Sequence, residues 1–151
     1  IVVLTFGGND AQPIGGDAPV GTDEWRTRYA ERVDAVAEAL VGGPQVIWIG
    51  LPPVTPDNIQ VIVPVVNEVL RDAASRWDHI DYLDAEAMFT GPEGGFVEVL
   101  SDADGTRTLV RAQDGVHYTP AAGDWLAERV LQFVAAKMDG GSPYPVANDD
   151  G

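Results

Sequence analysis

Two short segments carry side chains suited to acyl chemistry. The first is Gly7-Gly8-Asn9-Asp10, directly after the apolar run Ile1–Phe6. Glycines there permit a tight turn and close backbone approach. The Asn9 carboxamide is a neutral donor that could meet a developing oxyanion. Read alone, the segment is more simply a strand-ending turn. The second is Asp114-Gly115-Val116-His117. An Asp three residues ahead of a His in a tight loop can accept from the imidazole Nδ1–H, which fixes the tautomer and leaves Nε2 as a base. Alone it reads more simply as a loop Asp making its own turn, beside a His that merely packs.

Around these segments strand-like and helix-like patterns alternate. Ile1–Phe6 reads as a buried strand of a parallel sheet, followed by a Gly/Pro-rich loop from Gly7 to Gly21. Thr22 then caps a helix whose first turn holds Asp23 and Glu24. Its apolar stripe is Trp25, Tyr29, Val33, Val36 and Leu40, and Gly42-Gly43-Pro44 ends it. Val46–Ile49 reads as a second buried strand, released by Gly50-Leu51-Pro52-Pro53 into a loop. A second helix sets Ile62, Val66, Val69, Leu70, Ala73 and Trp77 at helical spacing, and Pro64 either kinks it or marks its first turn. Ile80–Leu83 is a third, shorter strand. The stretch Phe96 to Arg111 reads as a hairpin turning at Asp102-Ala103-Asp104-Gly105. Thr119-Pro120 opens a last helix with Leu126, Val130 and Phe133 facing inward. The domain is read as residues 1–138, with a flexible tail over 139–151. This order implies an α/β fold, a parallel sheet covered on both faces, with any ligand beyond the carboxyl ends of its strands.

Composition excludes several classes of function. The 151 residues hold 24 Asp plus Glu against 9 Lys plus Arg, a formal charge of −15, and Lys137 is the one lysine. A chain without clustered cations is expected to bind neither nucleic acid nor anionic lipid. No apolar run approaches the roughly 20 residues of a membrane span, so no membrane contact is expected of this segment. The absence of cysteine excludes disulfides, thiolate metal sites and a cysteine nucleophile. His79 and His117 are the two histidines, too few to expect zinc, and Asp102 and Asp104 suit a turn better than a calcium cage. The glycine pairs lack a Walker lysine and GxGxxG spacing. No cofactor and no metal are therefore expected. His79 reads as a surface residue, and Trp25, Trp48, Trp77 and Trp125 as packing.

Taken together, Gly-x-Asn-Asp after a strand and Asp-x-x-His before a C-terminal helix resemble the third and fifth signature blocks of the SGNH (GDSL-like) hydrolase family. The wider runs Gly21–Trp25, Trp48–Pro53 and Arg111–Thr119 resemble a bacterial branch of that family without an assigned function. The resemblance covers roughly Ile1 to Met138. It implies a flavodoxin-like three-layer α/β/α sandwich, His117 as general base, Asp114 as its orienting partner and Asn9 as an oxyanion donor. Asp10 is expected to brace the turn. The implied substrate is an acyl ester of a carbohydrate or small molecule, and the implied setting is extracytoplasmic, secreted or periplasmic.

One departure qualifies the match. The family's serine sits in a Gly-Asp-Ser block after its first strand, and a glycine of its second block is a further oxyanion donor; neither block is present. The three serines are Ser75, Ser101 and Ser142, none in such a setting. The chain is therefore expected to lack the first two strands of the sandwich, one of which would pair with Ile1–Phe6, and to be inactive alone. A non-catalytic binding or interaction module on the same fold stays open beside the esterase reading.

Overall fold

In the computed structural model, which describes residues 1–102 and 104–140, three parallel strands lie side by side: β1 (Val2–Leu4), β2 (Val46–Ile49) and β3 (Ile80–Leu83). Helix α1 (Asp23–Ala39) joins β1 to β2; α2 (Asp57–Gln60) and α3 (Val63–Arg76) join β2 to β3. Beyond β3 come α4 (Ala85–Phe89), the antiparallel pair β4 (Val99–Ser101) and β5 (Arg107–Leu109), and α5 (Pro120–Met138).

The alternation along β2 accounts for two helix layers. Val46 and Trp48 enter one apolar cluster, Ile47 and Ile49 the other, as a period of two requires. On the first face α1 contributes Trp25, Tyr29, Val33 and Ala37, and α3 contributes Val63, Val66, Val69, Leu70 and Ala73. On the second, Ala85 and Phe89 of α4 meet Ala122 and Phe133 of α5. Trp25 is fully buried, stacks on Tyr29 at 4.9 Å, and its indole N–H donates to the Gln12 carbonyl at 2.9 Å. Truncating such a side chain costs about 3–5 kcal/mol. Through Trp25, and through Arg28 reaching the Ile14 carbonyl at 2.9 Å, α1 also holds the long loop after β1.

Caps form as their residues dictate. The Thr22 hydroxyl accepts from Trp25 N–H, and the Thr119 hydroxyl from Ala122 N–H with Pro120 at the first helical position. Pro64 falls in the first turn of α3, where it costs no helical hydrogen bond.

Four expectations need correction. The first strand pairs only over Val2–Leu4, and Ile1, Val3 and Phe6 are 48%, 41% and 56% exposed. The apolar run reads as buried on both faces, but among the described residues β1 is the outer strand and has β2 on one side only. Val36 turns outward and Ala37, four residues after Val33, takes the inward position. His79 is half-buried rather than superficial: its Nε2 lies 2.9 Å from the Ala37 carbonyl and its ring meets Trp77 edge-on. Helices α2 and α4, four and five residues long, went unread because a single turn shows no periodicity. The expected tail lies outside the described residues from position 141 onward.

Candidate active site

A cleft of about 820 Å³ opens off the carboxyl ends of β1 and β2. Its lining is drawn from Thr5 to Asp10, Ile49 to Pro52, and Asp114 with Val116 to Tyr118; Val54, Pro56, Ile59 and Val63 add apolar surface. Asn9 thus lines one cavity with Asp114 and His117, which lie more than a hundred residues further along the chain.

The Asp114–His117 pair is built by the loop itself. Asp114 Oδ1 accepts the backbone N–H of Val116 at 2.8 Å and of His117 at 3.0 Å, which closes the turn. Its Oδ2 lies 2.7 Å from His117 Nδ1. Because a carboxylate only accepts, this contact places the proton on Nδ1 and leaves the Nε2 lone pair free. The two readings of Asp-x-x-His therefore merge: the Asp makes its own turn and orients the ring, and the ring does not pack but stands 79% exposed. The imidazole, followed by the two backbone N–H groups, holds the Asp114 carboxyl down at about 2. Gly115 makes the loop possible. It sits at φ +69°, and a Cβ there would strike the Thr55 side chain.

The turn that carries Asn9 is set by Gly7, at φ +123°, where a Cβ would crowd Val66, Tyr29 and Leu51. Asp10 braces this turn: its N–H donates to the Gly7 carbonyl at 2.9 Å, and its carboxylate accepts from the Tyr29 hydroxyl at 3.3 Å. Burial, then the Asp10 charge, raises the Tyr29 pKa. The Asn9 carboxamide has no hydrogen-bond partner among the described residues, so its N–H groups remain available to a ligand.

Sequence reasoning missed the residue that holds Leu51 in the lining. Asn67 of α3 is fully buried; its Oδ1 accepts from Leu51 N–H at 2.7 Å, and its Nδ2 donates to the Leu51 carbonyl at 2.8 Å and to Glu86 at 2.9 Å. The signal was an amide inside the stripe Val66–Leu70, where propensity favours none. Of the three serines, Ser75 lies in α3 bonded to the Asp72 carbonyl and Ser101 in β4, both away from the cleft; Ser142 lies outside the described residues.

No curated protein matches the chain. Residues 1–133 match the family described as "Protein of unknown function (DUF459)". With nearly nine-tenths of its length covered by that match, the chain belongs to this family.

Proposed function

We propose that these residues form the histidine–aspartate side of an SGNH-like serine esterase, on a flavodoxin-like three-layer sandwich, acting on an acyl ester of a small molecule or carbohydrate. The observation that carries this reading is the Nδ1–Oδ2 contact of 2.7 Å between His117 and Asp114, in the cleft that Asn9 also lines. The family's SGNH-like character supports it.

In this reading a serine hydroxyl from outside the 151 residues attacks the ester carbonyl while His117 Nε2 takes its proton. Asp114 steadies the imidazolium, and the Asn9 carboxamide donates to the tetrahedral oxyanion. The imidazolium then returns the proton to the leaving alcohol, and the acyl-enzyme is hydrolysed by water activated at the same nitrogen. The cleft lining disfavours an anionic substrate: it includes the carboxylates of Asp10 and Asp114 and neither Lys nor Arg.

Extending the reading frame upstream of Ile1 and expressing the longer protein tests this. The expected result is a Gly-Asp-Ser segment, labelling of its serine by a fluorophosphonate, and p-nitrophenyl acetate hydrolysis that falls about 10³-fold or more in His117→Ala. The 151-residue chain alone is expected to show no serine-dependent turnover. An extended protein without such a serine, inert to the probe, would instead favour a binding module.

A further inference from the structure

Arg111 is 1% exposed, yet among the described residues it forms no ion pair, and its Nε, Nη1 and Nη2 are buried without a hydrogen-bond partner. The nearby Tyr118 hydroxyl favours the charged guanidinium by its partial charge and by a side-chain hydrogen-bonding interaction, although no contact between the two reaches full hydrogen-bond geometry. What surrounds the guanidinium is aromatic. Its Cζ lies 4.3 Å from the Tyr118 ring centroid and 5.2 Å from that of Phe89, and the two rings are 4.7 Å apart. Stability alone would favour Met or Leu at such a position, because an unpaired buried cation is costly to desolvate. A planar cation offers what they do not, a delocalised charge that attracts both neighbouring rings at once.

The two partners occupy a particular place. Arg111 and Tyr118 are paired across an isolated antiparallel bridge, and Ala112 N–H donates to the His117 carbonyl at 2.8 Å just inside it. They are the two posts of the loop that carries Asp114 and His117. Phe89, at the end of α4, belongs to the buried cluster beneath.

We propose that Arg111 is a positioning residue: its buried guanidinium pins the Tyr118 ring against Phe89, and so holds the posts of the Asp114–His117 loop in register with the core. The significance for catalysis rests on the esterase reading; the pinning itself does not.

The test is nitrogen NMR of the His117 imidazole, with amide exchange at Val116 and His117 and a urea melt for each variant. In the parent chain the neutral imidazole is expected mainly as the Nδ1–H tautomer. Arg111→Met is expected to be at least as stable to urea, yet to lose that preference and exchange both amides about tenfold faster, the scale of a lost hydrogen bond to a carboxylate. Arg111→Lys, which keeps a cation without the planar face, should fall between. Tyr118→Phe should match the parent, and Tyr118→Leu should match Arg111→Met; if Arg111→Met does not fold, the Tyr118 pair decides. An Arg111→Met protein with parental tautomer and exchange overturns the proposal. So does a Tyr118→Phe protein that reproduces the loss, since the hydroxyl and not the ring would then hold the loop. Loss of loop order in Arg111→Met, in a protein whose extended form has no His117-dependent hydrolysis, would sink the esterase reading and leave the pin standing.

Discussion

At Asp114 the two carboxylate oxygens divide their partners, backbone N–H groups on one and the imidazole on the other, and this division sets the pH behaviour of the loop. The folded carboxyl titrates at about 2, below the ordinary carboxylate value of about 3.9. A group depressed in this way lends its support fully above the unfolded value and loses it as pH falls through the folded one. Protection of the Val116 and His117 amides is therefore expected to be constant from neutral pH down to about 4 and to collapse towards about 2. Asp114→Asn, whose single oxygen can still accept both N–H groups but is uncharged, should show weaker protection with little pH dependence over that range. Hydrogen exchange followed by NMR across the pH series measures both.

At the scale of elements, the cleft lining at Leu51 depends on α3 more than on the strand it follows. Asn67 satisfies both the N–H and the carbonyl of Leu51 from inside the apolar layer. Asn67→Leu leaves two buried backbone groups unpaired, an expected cost of about 2–4 kcal/mol in a urea melt. The long elements were legible because their stripes repeat: Trp25–Tyr29–Val33 and Val66–Leu70–Ala73 settle two helices, and the runs at 46–49 and 80–83 settle two strands. The turn at Gly7 and the Asp-x-x-His loop were legible as chemistry, since residue type and spacing carry it. Asn67 and Arg111 were not. A polar side chain within an apolar pattern says only that something must pair with it, and the partner is known once the layers are stacked.

At the scale of the molecule, two features oppose each other. Ile1, Val3 and Phe6 expose apolar surface along β1, which has no second neighbour among the described residues. Such an edge invites pairing with another chain, whereas a net charge of −15 repels one. Salt screens the repulsion and leaves the edge untouched. The 151-residue chain should accordingly self-associate as salt is raised from 0.05 to 0.5 M (about a threefold drop in screening length), and Val3→Lys should remain monomeric. Sedimentation velocity reports the outcome. In the esterase reading, the segment bearing the serine would supply the missing neighbour.

Asn9 and His117 line one cleft, and the esterase reading requires them to be close together. The chain has no cysteine, so Asn9→Cys carries a single nitroxide label, and His79, next to Ala37 and Trp77 at the opposite end of the strands, is an internal control. Imidazole proton spectra of the labelled protein, oxidised and then reduced, make the measurement. Broadening of the His117 signals with His79 left sharp is the result expected; His117 signals no broader than those of His79 would contradict the shared cleft.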